Sequence, residues 1–282
     1  MSFHQKPTMY VSSVHLHVMD IKRSLTFYQE VLGLKVLKEL DKMVHFTADG
    51  TNTLLVIEQP EGVNPKQGRT TGLYHFAILL PERSDLATFI KHIVPLGVEL
   101  GASDHQVSEA IYFSDPDGNG IEVYRDREPA EWNWDNDQVE MTVDPLDAED
   151  LLAAAKNEEW NGIPEDTVMG HIHLHVAHLP EVEEFYTKGL GFEVVTRYGN
   201  QAIFISDAKY HHHIALNTWN GVGAPTPASN SVGLKHYTIT LPNEPQRNEV
   251  IERLKQIGAK IEEENGHYFT QDPSDNRIKL EI

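Results

Sequence analysis

The sequence predicts an α+β chain of four β-α-β-β-β modules, and three observations predict it. First, Val11 to Val18 (VSSVHLHV) reads as a strand, and Asp20 to Leu32 (DIKRSLTFYQEVL) as an amphipathic helix capped by Asp20 and closed by Gly33. LKVLKEL, KMVHFTADG and NTLLVIE follow as three strands separated by turn residues. Second, the same order returns at Gly72, with the strand LYHFAILL, a helix from Ser84 to Leu96 ended by Gly97, and strands near Val98, Ala110 and Ile121. Third, HIHLHVAHLPEVEEFYTKGLGFEVV from His171 lines up with SVHLHVMDIKRSLTFYQEVLGLKVL from Ser13 at a constant offset of 158. That register matches Phe27-Tyr28 to Phe185-Tyr186 and Leu32-Gly33 to Leu190-Gly191, which marks a duplication.

The duplication extends to the fourth module, where Gly233-Leu234-Lys235-His236 answers Gly72-Leu73-Tyr74-His75 and Asp272-Pro273 answers Asp115-Pro116. Residues 129–167, with Trp132, Trp134 and a short acidic helix around Ala148 to Lys156, break the pattern and read as a connector. The expected domains are therefore 8–128 and 168–282 on either side of it.

The stretch Ala110 to Tyr124 (AIYFSDPDGNGIEVY) carries the first chemistry. Asp115-Pro116-Asp117-Gly118-Asn119-Gly120 is a hairpin connection dense in residues that tolerate tight or left-handed turns. In the favoured pairing Tyr112 and Glu122 share a face, so a phenol and a carboxylate meet on a short ribbon. A lone strand Glu is ordinarily solvated, so Glu122 needs partners elsewhere in the chain.

Composition limits the function classes. A formal charge of −20 disfavours nucleic acid and anionic membranes, although its ordinary reading is solubility. No apolar run reaches membrane-spanning length, and the start, MSFHQKPTMY, does not read as a signal peptide. Zero Cys excludes disulfides and thiolate metal sites and fits a cytoplasmic location. The unusual count is 16 His, several of them on apolar strands.

The four modules, the FYxxxLG helix ends and the DPDGNGIEV hairpin together resemble the vicinal oxygen chelate superfamily of glyoxalases, bleomycin-resistance proteins and extradiol dioxygenases. The resemblance covers nearly the whole chain. Through GLYHFAILLP, AIYFSDPDGNGIEVY, GHIHLHV and YHHHIALN it is most similar to the two-domain catechol 2,3-dioxygenases of bacilli. It implies two glyoxalase/dioxygenase-like domains with curved, mostly antiparallel sheets. It also implies that two modules curl around one metal held from their first and last strands.

Comparing the copies under that resemblance selects the ligands. Module one has Ser13 where module three has His171, and module four has His236, Phe269 and Lys279 where module two has His75, Tyr112 and Glu122. His75, His171 and Glu122 then form a two-histidine, one-carboxylate set suited to Fe(II), with Mn(II) as the alternative ion. This choice requires modules two and three to be neighbours across the duplication. The competing assignments keep each site within a half: His15 or His17 with His75 and Glu122, or His171 with His236 and Glu281.

Within the resemblance His213, in the triplet His211-His212-His213, takes the acid–base place beside dioxygen, with His212 facing the other side unless a bulge exchanges them. The plainer reading is a histidine bonded to backbone at a strand start. His105 takes the place of a loop histidine that bonds substrate or Tyr112, and Tyr112 that of a residue hydrogen-bonded to the metal-bound catechol oxygen; loop histidines are commonly just exposed. His15, His17, His173 and His175 alternate along their strands and read equally as core histidines or as supports for the ligands. Trp219 is a candidate wall.

The function so implied is extradiol cleavage of catechol or a substituted catechol. The expected partners are a small aromatic diol and O₂, with room for a homo-oligomer, and neither nucleic acid nor membrane. Two rivals stand beside it. A glyoxalase-like lyase or isomerase needs a second carboxylate, for which Glu58 in module one qualifies but Asn217 in module three does not. A metal-free protein that sequesters a planar ligand would bind it regardless of His75 or Glu122.

Overall fold

The computed structural model describes residues 3–156 and 160–282, so residues 157–159 of the connector lie outside the described ones. Module one comprises β1 (Tyr10–His17), α1 (Ile21–Glu30), β2 (Lys35–Leu40), β3 (Met43–Thr47) and β4 (Leu55–Glu58). Module two comprises β5 (Gly72–Leu79), α2 (Arg83–Ile93), β6 (Gly101–Asp104), β7 (Ser108–Ser114) and β8 (Gly120–Asp126). The connector holds the small ribbon β9 (Trp134–Asp135) and β10 (Gln138–Val139), and the helix α3 (Ala148–Ala153). Module three has β11 (Val168–His175), α4 (Leu179–Glu184), β12 (Glu193–Tyr198), β13 (Ala202–Ser206) and β14 (Ile214–Asn217). Module four has β15 (Gly233–Thr240), α5 (Glu244–Gln256), β16 (Ile261–Glu264), β17 (His267–Gln271) and β18 (Arg277–Glu281). Among the described residues no helix is long and apolar enough to cross a membrane.

The helix starts follow from their caps. The Asp20 carboxylate accepts from the N–H groups of Lys22 and Arg23, which would otherwise lack partners in the first turn of α1. Past the end of α1, Gly33 has φ +81°, and a Cβ there would lie 2.5 Å from Trp160 of the connector. That position needs glycine for both backbone and space.

Two eight-stranded sheets form, ordered β16-β17-β18-β15-β1-β4-β3-β2 and β12-β13-β14-β11-β5-β8-β7-β6. Both are mostly antiparallel, and each draws one module from either side of the connector. The reason lies in the edges. In module one the first strand β1 pairs in parallel with β4 and leaves its other edge open; β15 does the same beside β18. An open edge exposes a row of unpaired N–H and C=O groups. Antiparallel pairing of β1 with β15, and of β5 with β11, closes both at once.

A second set of contacts joins modules within a half. The Tyr28 hydroxyl of α1 donates to Asp115 at 2.8 Å, and the Asp115 carboxylate also accepts from the N–H groups of Asp117 and Asn119. Tyr186 repeats this on Asp272 at 3.0 Å. The turn that leads into β8 is thereby clamped to the helix of the other module.

Alternation on the first strands separates core from cavity. Ile172 and Leu174 of β11 join the main apolar core with Tyr28, Phe46, Phe89 and Tyr186, while His171, His173 and His175 project to the opposite, concave face. Each curled sheet frames a cavity, of about 390 Å³ between modules two and three and about 320 Å³ between modules one and four.

Candidate metal centre and its cavity

Three adjacent strands bring the expected ligands together. On the central strand β5, Ala77 lies opposite His171 of β11 on one side and Glu122 of β8 on the other. Ala77 is small and fully buried, so its two flanking side chains converge above it, and His75, two residues away, joins them on the same face. His75 Nε2 lies 3.0 Å and His171 Nε2 3.1 Å from the same Glu122 oxygen, and the three ligand atoms fall within 4.8 Å of one another. All three residues are buried. Gly120 is part of this geometry: it pairs with His75, and a Cβ there would stand 2.2 Å from the Tyr74 carbonyl oxygen.

The electrostatics suit a cation. Burial holds the His171 imidazole below its usual pKa, so it stays neutral with a lone pair to offer. Burial pushes the Glu122 carboxyl upward, but the adjoining His171 and His75 outweigh it and hold it well below the usual carboxylate range. His75 Nε2 is buried without a hydrogen bond of acceptable geometry. A buried nitrogen of this kind ordinarily has a partner, and a metal ion supplies one. Two neutral imidazoles and one carboxylate are also the donor set that the facial Fe(II) arrangement uses.

Around this floor the cavity is mostly apolar and aromatic. Phe204, Val107 and Met141 line it, and Tyr74 and Trp219 stand exposed at its rim with ring centroids 5.4 Å apart. Tyr112 pairs with Glu122 across β7 and β8, and its side chain reaches the cavity. Its hydroxyl is 2.6 Å from His105 Nε2, and His105 Nδ1 is 2.6 Å from the Thr142 carbonyl oxygen. Because that carbonyl only accepts, the His105 proton sits on Nδ1 and the Tyr112 hydroxyl donates to Nε2.

His213, expected at the acid–base place, does not line the cavity. Its Nε2 donates to the Phe3 carbonyl at 3.0 Å and its Nδ1 accepts from the Asp207 N–H, so both ring nitrogens are spent on backbone. His212 lines the cavity instead, its ring 4.1 Å from that of His171. The physical reason is that β14 begins only at Ile214. Left-handed residues Ala208 and Lys209 precede the triplet, and strict alternation does not extend back into it.

His173 and His175 lie outside the convergent set. Asn217 accepts from the Trp219 N–H and from His175 Nδ1, which orients its amide so that Nδ2 donates to His173 Nε2 at 2.8 Å. Sequence reasoning did not find Phe204, or Met141 to Val143 of the connector. Backbone bonds between Asp104 and Asp144 fold that segment over β6, and no sequence pattern announces such a strap.

The residues of the competing assignments lie in the other sheet. His15, His236, Lys279 and Glu281 line the cavity between modules one and four, where Ser13 hydrogen-bonds Thr238 and Lys279 pairs with Glu281. His17 lies by Glu58, which Lys235 also holds. The Lys279 ammonium stands in this sheet where Glu122 stands in the other.

Comparison with known proteins agrees with this architecture. The profile described as Glyoxalase/Bleomycin resistance protein/Dioxygenase superfamily matches residues 10–123 and again 168–280. The chain is 43% identical to the Bacillus subtilis (strain 168) catechol-2,3-dioxygenase over 267 residues, 94% of each chain. It is 26% identical over 117 residues to metallothiol transferase FosB of Staphylococcus saprophyticus, covering 40% of this chain and 75% of that one. The solved glyoxalase I of Zea mays superposes with a TM-score of 0.59 at 17% identity, over 96% of this chain and 92% of that one, which is a likeness of fold.

Proposed function

Because this chain belongs to the Glyoxalase/Bleomycin resistance protein/Dioxygenase superfamily, we propose that it is an extradiol dioxygenase that opens the ring of catechol or a substituted catechol with O₂. The observation that carries this reading is the convergence of His75, Glu122 and His171 on the floor of an apolar cavity of about 390 Å³. The extended identity to a catechol-2,3-dioxygenase supports the choice of substrate class. These three side chains would hold Fe(II), which when bound supplies positions for both catechol oxygens and for O₂ and couples electron flow between them.

The protein's own part is placement and proton handling. The aromatic walls take the ring and exclude water. Tyr112, whose hydroxyl donates to His105, keeps its oxygen lone pairs free to accept from a catechol hydroxyl. His212, kept neutral by burial and by the neighbouring His171 and His211, takes the proton of the second hydroxyl and later returns it. An O₂-independent isomerase needs a second carboxylate as base, and Asn217 occupies that place with its amide already committed to His173, His175 and Trp219.

The test is oxygen uptake by protein loaded anaerobically with Fe(II), given catechol and a few alkyl and chloro catechols. Uptake is expected in the parent protein, and His212→Ala is expected to lower it about 10²- to 10⁴-fold. His213→Ala should cost stability while its folded fraction keeps turning over. Absence of uptake with every catechol, or the opposite ranking of the two variants, contradicts this assignment.

A further inference from the structure

We propose that Asp126 and His211 are positioning residues that act through His212, fixing its proton on Nδ1 so that a bare Nε2 faces the substrate; this rests on the role given to His212 above. Nothing in the metal centre requires these two residues, yet the fold brings them together across 85 residues of sequence, from either side of the connector. Asp126 ends β8, the strand that also carries Glu122 four residues earlier on the same face. His211 precedes β14 and is fully buried.

The hydrogen-bond directions follow from one fixed point. His211 Nε2 lies 2.7 Å from Asp126 Oδ1, and a carboxylate only accepts, so Nε2 carries the proton. The Tyr210 hydroxyl donates to the same oxygen at 3.3 Å, and its ring lies tilted against His211 at 4.1 Å between centroids. The Trp132 ring packs edge-on against His211 at 5.2 Å between centroids. In its neutral form His211 then has a bare Nδ1, which stands 2.8 Å from Nδ1 of His212. Two bare nitrogens at that distance repel, so His212 supplies the proton. Its Nε2 is left as the acceptor, with no hydrogen bond to any described residue. His171 and the edge of Phe204 hold the His212 ring in place.

The consequence is a base with a fixed direction. When the substrate's second hydroxyl gives up its proton, the O–H bond breaks, its electron pair stays on the oxygen, and an N–H bond forms at His212 Nε2. The positive charge on His212 is stabilised by the His211 lone pair and, behind it, the Asp126 carboxylate. No proton has to leave Asp126 or His211. The logic is that of an aspartate orienting a catalytic histidine, with one imidazole inserted between them.

The experiment combines a structural and a kinetic readout. In metal-free protein with ¹⁵N-labelled histidine, proton–nitrogen correlation spectra are expected to show His212 as the Nδ1–H tautomer. His211→Leu removes the acceptor and should move His212 toward Nε2–H. In the Fe(II)-loaded enzyme the same variant should lower kcat about a hundredfold or more, with KM for catechol and metal content unchanged. His211→Asn, whose amide oxygen can accept from His212 Nδ1–H, should recover most of the loss. If His211→Leu does not fold, Asp126→Ala removes the anchor and carries the same expectation.

An Nε2–H tautomer at His212 in the parent protein overturns the proposal. So does a His211→Leu enzyme that turns over normally while His212→Ala does not. If His212→Ala itself turns over normally, the role of His212 is what fails, and the relay falls with it.

Discussion

Glu122→Gln protein is expected to bind Fe(II) more than about 100-fold more weakly than the parent, and to lose turnover by on the order of 10³-fold. Glutamine keeps the shape of the side chain and removes the one negative charge among the ligands. The supports that merely orient metal ligands are worth about 10- to 100-fold in affinity, so a direct ligand should exceed them. The loss of turnover follows because the ion supplies several kcal/mol of charge stabilisation, and each 1.36 kcal/mol is about tenfold in rate. Anaerobic Fe(II) titration with a competing chelator measures the first effect. His171→Ala should behave alike although it lies in the other half of the chain, because β11 and β5 are paired in one sheet. Unchanged affinity in Glu122→Gln, together with loss in His15→Ala, would instead place the ion in the cavity between modules one and four.

The metal-free protein is expected to lose most of its stability between pH 6.5 and about pH 4.5. Burial holds His15 and His236 down to about 2, with the Lys235 and Lys279 ammoniums adding to it, and burial holds His4 and His175 down to about 4. A folded pKa below the ordinary 6.5 means that the unfolded chain binds the proton more tightly. The stability these groups contribute is therefore complete above pH 6.5 and falls as the pH drops, toward about 4 for His4 and His175 and about 2 for the other pair. Well below 6.5 each such histidine costs up to about 1.4 kcal/mol per pH unit. Even half of the combined slope, acting over two pH units, is comparable with the total stability of an ordinary domain, about 5–15 kcal/mol. Urea unfolding midpoints measured from pH 7.5 to 4.5 check this, and a flat profile would contradict it.

Much of the site was legible before the coordinates because the chain contains its own control. Ser13 against His171 and Lys279 against Glu122 mark which copies carry the candidate ligand set, and that comparison already required modules two and three to share a sheet. Their pairing through β5 and β11 is the outcome, and open first-strand edges are its cause. What stayed hidden depended on irregular backbone. The choice between His212 and His213 turns on where β14 begins, and extending a pleat by one residue reverses the face. The docking of Phe3 that takes up His213, the strap of Met141 to Val143 and the meeting of Asp126 with His211 are all tertiary contacts. None leaves a periodic trace.

The most direct test of the central claim is to run Fe(II)-loaded protein on catechol under isotopically heavy O₂ and weigh the product. A ring-opened product carrying both heavy oxygen atoms, absent in Glu122→Gln and His75→Ala protein, is the predicted result. A catechol left intact under O₂, or a product free of heavy oxygen, would contradict dioxygenase chemistry at this site.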